Sequence, residues 1–270
     1  MNYSYEEVKD VKQPYNSAPI INHEGFPAFT VLVDSVPTTF TAHQIAVRFL
    51  SVLLSYATDF VGRRVTGAVM AIPSDFTPVQ VIALKKAAKE AGIRVLQTIS
   101  ETSASLTAYH STLIAELSAT NNLDRNAVVL DVGGTSTNVA VVAIRDGLFT
   151  TLGNVTDSTL GGNLFDEKLM DWFGKEFTKK TKVPLEASNH RALMKLRLAV
   201  EVTKKSLSAS NSAPCSVESL AEGMDFHGTI NRMRFDLLAG TIYARIIKNV
   251  EAALEKAGVD ALNISEVRRA

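Results

Sequence analysis

VVLDVGGTSTNV, from Val128 to Val139, is the segment of this chain with the clearest structural signature. Its first half is a run of apolar, β-branched residues typical of a buried strand, which ends near Asp131 and the pair Gly133-Gly134. Glycine permits a sharp turn and lets backbone N–H groups approach an anion closely. A carboxylate at the end of a strand can hold a Mg²⁺-bound water. On this spacing alone, a phosphate-binding loop and a plain hairpin turn with polar side chains are both open.

Further candidate ligands follow the two glycines. The hydroxyl groups of Thr135, Ser136 and Thr137 are suited to contact phosphate or a metal ion. A second glycine pair, Gly161-Gly162, precedes a predicted helix, and the free N–H groups at a helix N-terminus attract anions. By itself, this second pair is more typical of a tight turn into the helix.

A third candidate is a polar cluster on a predicted helix that covers about Asn189–Ser208. Glu201, Lys204, Lys205 and Ser208 are spaced by three and four positions, so a helix places them side by side. They are candidates to contact a nucleoside. Taken alone, the same spacing is more typical of an ordinary exposed helical face.

Other chemistries leave no pattern in the sequence. His110, His190 and His227 are scattered, without the paired spacing of metal ligands. Cys215 is the one cysteine of the chain, and we predict that it is a small buried hydrophobe. A single cysteine forms no intramolecular disulfide, which fits a reducing compartment. We assign no catalytic base.

Composition limits the classes of function. The chain has 270 residues, enough for one large domain or two lobes, and it carries 28 basic and 28 acidic residues. This neutral balance gives no reason to expect direct nucleic-acid binding or membrane binding. The segment Met1–Glu7 is polar and acidic, unlike a signal peptide. The most apolar run, Ile45–Val61, contains Arg48 and Asp59, which favours an amphipathic helix over a membrane span. We therefore expect a cytoplasmic protein.

The pattern of predicted elements changes along the chain. Residues 1–26 predict irregular structure, and Ala28–Ser35 alternates like a strand. The middle of the chain predicts strands alternating with helices, typical of a helix-covered sheet, and the part after residues 121–126 predicts an antiparallel meander followed by helices and a hairpin. The further predicted elements are helices over 41–60, 77–91, 102–117, 164–179, 189–208 and 232–257, and strands over 66–72, 93–99, 127–132, 138–144, 148–155, 216–220 and 225–230. We predict two lobes, residues 1–120 and 121–270.

Five segments, taken in order, resemble the DnaK-type heat shock protein 70 family. The ordered series is far more specific than any one segment, and the resemblance covers most of residues 28–265. Val128–Phe149 is similar to the family's second phosphate loop, and Leu196–Ser208 is similar to its adenosine-contacting helix. The other three segments are Met70–Tyr109, Leu160–Leu169 and Ser219–Leu238.

The resemblance implies a fold, ligands and site residues. The fold is α/β, of the actin-like ATPase (ribonuclease H-like) kind with two lobes, here incomplete at both ends. The implied ligands are ATP and Mg²⁺, with Asp131 as the metal ligand. The residues implied for phosphate or Mg²⁺ are Asp131, Gly133, Gly134, Thr135 and Ser136. Gly161 and Gly162 are implied as a second group of ligand-binding residues. Glu201, Lys204, Lys205 and Ser208 are the third group, implied for the nucleoside.

Departures from the family pattern indicate a degraded ATPase. Thr135 stands where the family has a third glycine, and Asn138 stands where it has a second, cation-binding aspartate. A neutral amide is a poorer ligand for a hard cation than a carboxylate. Lys205 replaces an adenine-stacking arginine and lacks the planar guanidinium. The family's first phosphate loop, its catalytic lysine and its last adenosine loop have no counterpart in this sequence, so we expect this chain alone to bind ATP weakly or not at all.

Within the family, Ala140–Leu152, Asp157–Gly162 and Ser219–Phe235 are most similar to the atypical fungal chaperones of the ribosome-associated complex. That resemblance implies stable pairing with a J-protein of the zuotin type, indirect contact with ribosomes and nascent chains, and ATP binding with little or no hydrolysis. Two alternatives stay open. One is an ordinary ATP-hydrolysing heat shock protein 70 chaperone in its full-length form, and the other is an interaction module without nucleotide affinity.

Overall fold

The computed structural model describes residues 4–9, 18–117, 124–145 and 148–269. The chain divides into two compact units, Met1–Thr107 and Ala108–Ala270. The helices are α1 (Tyr5–Val8), α2 (Ala42–Val61), α3 (Pro78–Glu90), α4 (Glu101–Leu117), α5 (Gly162–Thr181), α6 (His190–Ser206) and α7 (Arg232–Ala257). The strands are β1 (Ile20–His23), β2 (Phe26–Val33), β3 (Val36–Thr41), β4 (Ala68–Ile72), β5 (Val95–Ser100), β6 (Arg125–Val132), β7 (Thr137–Arg145), β8 (Leu148–Asp157), β9 (Ser212–Ala221), β10 (Met224–Asn231) and β11 (Glu266–Arg269).

The first unit contains a three-stranded antiparallel sheet with the order β1-β2-β3. Strands β2 and β3 are joined at Asp34 and Ser35, whose φ angles of 50° and 68° suit a tight hairpin turn. The sequence predicted one strand over Ala28–Ser35, because Asp-Ser is a weaker turn signal than Asp-Gly. The prediction that residues 1–26 are irregular is wrong for Tyr5–Val8, which forms helix α1, and for Ile20–His23, which pairs with β2.

Strands and helices alternate in the rest of the first unit, as predicted. Strands β4 and β5 pair in parallel. Helix α3 begins with a capping box, in which the Thr77 N–H donates to the Gln80 side chain at 2.8 Å. Helices α2 and α3 pack together around Leu50, Ala87 and Ala88.

Helix α2 is, within the described part of the chain, the one helix long and apolar enough to cross a membrane. That statement rests on length and composition alone, and core helices of soluble proteins meet the same criteria. One side of α2 packs on α3 through Leu50. Phe49, Tyr56 and Phe60 are exposed, and their spacing places all three on one face of α2 that differs from the face of Leu50.

The main sheet of the second unit has the strand order β11-β6-β7-β8. Strands β6, β7 and β8 are antiparallel neighbours, which confirms the predicted meander. The connection between β7 and β8, residues 146–147, lies outside the described residues. Strand β11 pairs in parallel with β6, although its sequence EVRR gave no strand signal. Four residues are too few to show a period, so its pairing partner determines its conformation.

Helix α7 covers one face of this sheet. Val128, Val139 and Val141 pack against Ala253 of the helix. Because successive side chains of a strand point to opposite faces, Asp131 lies on the face away from α7. The apolar alternation of β6 thus determines which face carries the candidate metal ligand.

The β9-β10 hairpin is held to α5 by aromatic contacts. Phe226 meets Phe173 and Phe177 edge-on, at ring-centroid distances of 5.6 and 6.1 Å. Cys215 in the same hairpin is buried, which confirms its prediction as a small hydrophobe. Helix α7 ends at Gly258, also as predicted.

Candidate nucleotide-binding site

The loop between β6 and β7 carries most of the predicted phosphate ligands. It is closed by the Gly133 N–H, which donates to the Ser136 carbonyl at 2.9 Å. Gly134 and Thr135 are exposed at its tip. Among the described residues, the backbone N–H groups of Gly134, Thr135 and Ser136 have no hydrogen-bond partner in the protein. Exposed, unpaired N–H groups at a tight turn are suited to bind an oxyanion.

The second glycine pair contacts this loop through backbone hydrogen bonds. The Gly162 N–H donates to the Gly133 carbonyl, and the Asn163 N–H donates to the Gly134 carbonyl, both at 2.8 Å. We call this contact the glycine junction. The sequence predicted that the first turn of α5 offers free N–H groups to an anion, whereas these two are engaged with the loop. These two hydrogen bonds hold the Gly133 and Gly134 carbonyls and so restrict the orientation of the loop.

Gly161 is the tightest point of the glycine junction. A Cβ at this position would lie 2.7 Å from the carbonyl carbon and oxygen of Gly134 and from the Thr135 nitrogen. At Gly162 the nearest atom, Lys204 Nζ, would be 3.5 Å away, an ordinary contact. The absence of a side chain at residue 161 therefore allows the two backbones to meet.

Two polar contacts position the chain just before Gly161. The buried Thr137 hydroxyl donates to the Leu160 carbonyl at 2.8 Å. Asp157 accepts from the Thr159 N–H at 3.0 Å and pairs with Arg245 at 2.8 Å. Burial opposes ionisation of Asp157, but these hydrogen bonds and the Arg245 charge outweigh it and hold the pKa of its carboxyl below the ordinary value.

The candidate metal ligand Asp131 lies directly opposite Asn138 on the neighbouring strand. Residues paired in this way share a face and lie side by side. Asn138 is 7% exposed, and its Oδ1 accepts from the Thr156 hydroxyl of β8 at 3.1 Å. Carboxylate and amide oxygens form a donor set that fits a hydrated Mg²⁺. Sequence reasoning missed Thr156, because only the strand register brings it beside Asn138.

The predicted nucleoside cluster is only partly helical. Glu201, Lys204 and Lys205 lie on α6, whereas Ser208 follows the helix, which ends at Ser206. The prediction that all four residues share the helix is therefore wrong for Ser208. Its N–H donates to the Lys205 carbonyl at 3.1 Å, a three-residue bond that tightens the chain after the last helical turn.

The two lysines of α6 have different surroundings. Lys204 Nζ forms an ion pair with Asp166 at 2.6 Å and donates to the Gly162 carbonyl at 3.2 Å, so it reaches the glycine junction. Lys205 forms an exposed pair with Glu201 at 2.8 Å. The hydrogen bond and charge of Lys205 hold the pKa of Glu201 below its ordinary value. Sequence reasoning missed Asp166, which is buried and lies within the predicted Leu160–Leu169 segment.

Comparison with known proteins identifies the family that this chain resembles. Residues 6–268 match the family described as Hsp70 protein. The heat shock protein 70 homologue C57A7.12 of Schizosaccharomyces pombe is 39% identical over 93% of this chain and 44% of its own length. The ribosome-associated complex subunit SSZ1 of Saccharomyces cerevisiae is 36% identical over 96% of this chain and 47% of its own length. Heat shock 70 kDa protein 14 of Danio rerio is 31% identical over 92% of this chain and 48% of its own length.

The mixed sheets and helices, together with these matches, define an α/β fold of the actin-like ATPase class, which confirms the predicted fold class. The chain belongs to the Hsp70 family. It spans about half the length of the relatives that it matches. Among the described residues there is no group of His, Cys, Asp and Glu that could hold a metal ion by protein ligands alone.

Proposed function

We propose that this chain is part of an atypical Hsp70-type chaperone that binds ATP with little or no hydrolysis. The observation that carries the proposal is the loop from Gly133 to Ser136, which presents unpaired N–H groups while its carbonyls are held by the glycine junction. Asn138 in place of a carboxylate beside Asp131 supports the second half of the proposal, because the pair holds a divalent cation less strongly.

In this proposal, each set of residues has a distinct task. The N–H groups of Gly134, Thr135 and Ser136 receive phosphate oxygens, and Asp131 orients water bound to Mg²⁺. Bound Mg²⁺ supplies charge neutralisation for the phosphates. Gly161 and Gly162 keep the loop in shape. Glu201, Lys204, Lys205 and Ser208 border the nucleoside, and Lys204 exchanges its contact with Asp166 or the Gly162 carbonyl for the ligand.

The proposed cellular role is based on the relative SSZ1. SSZ1 is a subunit of the ribosome-associated complex. We propose that this protein likewise works in the cytoplasm with a J-protein of the zuotin type and assists the folding of nascent chains at the ribosome. The proposed lobes, residues 1–120 and 121–270, belong to one nucleotide-binding domain. Ordinary heat shock 70 kDa proteins also match, for instance that of Neurospora crassa at 32% identity, so an ATP-hydrolysing chaperone is the alternative.

A third possibility, an interaction module without nucleotide affinity, has its own support. The Gly162 N–H and Asn163 N–H already donate to the Gly133 and Gly134 carbonyls, and Lys204 is already paired with Asp166. In such a module the same contacts stabilise the fold only. Micromolar binding of ATP to this chain, measured by calorimetry, would exclude a module without nucleotide affinity.

The proposed partnership predicts a stable complex. The intact gene product, purified with the zuotin-type J-protein of the same organism, is expected to elute with it at equal stoichiometry and to sediment with ribosomes only when that J-protein is present. An ordinary Hsp70 from the same cell is the control and is expected to bind J-proteins only transiently. Equal ribosome sedimentation with and without the J-protein contradicts the proposed role.

A further inference from the structure

A basic cavity lies in the first unit, remote in sequence from every residue of the nucleotide site. It has a volume of about 490 Å³ and is lined by Lys85, Lys89, Gly92, Ile93, Arg94 and Val95. That volume lies within the range of small-molecule sites. Lys85 and Lys89 are one helical turn apart on α3, and Arg94 follows on the approach to β5.

The charge around this cavity is unbalanced. Residues 77–98 contain four cations and one carboxylate, in a chain whose net charge is zero. The carboxylate, Glu90, pairs with His43 of α2 at 2.8 Å. Within the described part of the chain, Lys85, Lys89 and Arg94 have no carboxylate partner. Three cationic residues therefore line one concave surface, and no acidic residue is among its lining residues.

The last carbonyl groups of α3 carry partial negative charge, which opposes the binding of an anion near the end of this helix. The Gly92 N–H donates to the Lys89 carbonyl at 3.1 Å, and the Ile93 N–H donates to the Ala88 carbonyl at 2.8 Å. Gly92 makes this closure possible with a φ of 86°. The Lys89 and Ala88 carbonyls are thus satisfied within the turn, which weakens their opposition to an anion.

We infer that this cavity is a binding site for a phosphate-bearing anion. Lysine ammonium groups act as point charges for phosphate, and the arginine fork matches two phosphate oxygens. Three cations balance a ligand of two or three negative charges, as a phosphomonoester or oligophosphate carries and a single carboxylate does not. The lining contains no aromatic side chain and no side-chain amide, so it recognises phosphate rather than a base. The phosphates come from a free oligophosphate or from a polynucleotide backbone.

The test compares two lysine pairs with the same spacing. Lys175 and Lys179 are exposed on α5 four positions apart, like Lys85 and Lys89 on α3, but they are not among the residues that line this cavity. Binding of inorganic tripolyphosphate to the 270-residue chain at low ionic strength is measured by calorimetry. The double variant K85Q/K89Q is expected to raise the Kd about tenfold or more, whereas K175Q/K179Q leaves it unchanged within about twofold.

The outcomes separate the possibilities. An equal loss in both double variants, or no loss in either, overturns the inference, because tripolyphosphate then binds through general charge or at the Gly133–Ser136 loop. Equally tight binding of poly-glutamate also overturns it, because the site is then selective for charge and not for phosphate.

Tighter binding of single-stranded RNA than of tripolyphosphate, lost in K85Q/K89Q, supports the site and identifies a polynucleotide backbone as the source. Unchanged thermal unfolding of both variants shows that folding is retained, as expected for exposed lysines.

Discussion

The change Asn138→Asp is expected to lower the free energy of unfolding of the ligand-free protein by about 3–5 kcal/mol at neutral pH. Asn138 is buried, and the Thr156 hydroxyl donates to its Oδ1. A carboxylate introduced there lies directly opposite Asp131 on the neighbouring strand. Burial and the Asp131 charge both disfavour its ionised form.

This cost of Asn138→Asp depends on pH. The introduced carboxyl has a folded-state pKa above its unfolded value of about 4. The variant therefore binds a proton more tightly when it is folded. Its free energy of unfolding, relative to that of the parent, falls as the pH rises through that folded-state pKa. Near pH 4, where the carboxyl is protonated and resembles the amide in shape, the two proteins are expected to differ little.

Urea unfolding measured by fluorescence checks the prediction, because Trp172 is the one tryptophan of the chain and lies in the same unit as residue 138. Asn263→Asp is the control, because Asn263 is exposed and its replacement is expected to change stability by less than about 0.5 kcal/mol. Millimolar Mg²⁺ should restore part of the loss in Asn138→Asp only. A loss that Mg²⁺ leaves unaltered contradicts the assignment of Asp131 as a cation ligand.

A second large effect is expected from Gly161→Ala, which should cost about 1–3 kcal/mol of stability. The added methyl group would lie 2.7 Å from backbone atoms of Gly134 and Thr135, which cannot move aside as a flexible side chain can. The backbone at residue 161 is extended, so the cost comes from space and not from the φ angle. The two segments of the glycine junction must separate, and the Gly133–Ser136 loop then loses its fixed orientation.

The neighbouring change Gly162→Ala is the matched control. Its methyl group would meet only ordinary contacts, 3.5 Å from Lys204 Nζ and 3.6 Å from the Gly133 carbonyl oxygen. Residue 162 is also the first residue of α5, where alanine is favoured over glycine. Unfolding by urea and ATP affinity of the intact protein are measured for both variants. Equal effects of the two changes would show that the close approach at Gly161 has no special role.

Local signals in the sequence predicted most elements of the second unit. The long helix α7 has a repeating apolar pattern and a terminal glycine, and the meander has continuous β-branched runs. The errors lie where tertiary pairing overrides a weak local signal. Strand β1 has only four residues, and β11 is partly charged, so neighbouring strands determine both.

The candidate site was predictable by residue but not by arrangement. The glycines at 133, 134, 161 and 162 were recognised as turn and phosphate signals, yet the hydrogen bond from Gly162 to Gly133 spans 29 positions and needs the folded sheet. Lys204 and Lys205 are adjacent in sequence, but only Lys204 reaches the glycine junction. Asp166 and Thr156 were missed because their importance arises from partners on other elements.

We propose that this Hsp70-family protein holds ATP at the Gly133–Ser136 loop without turning it over appreciably. The decisive experiment measures steady-state ATP hydrolysis by the intact gene product beside equilibrium ATP binding. We expect Mg²⁺-dependent binding that Asp131→Ala weakens, with hydrolysis near the background rate in both proteins. Robust hydrolysis that Asp131→Ala abolishes would instead overturn the proposal and establish an ordinary chaperone ATPase.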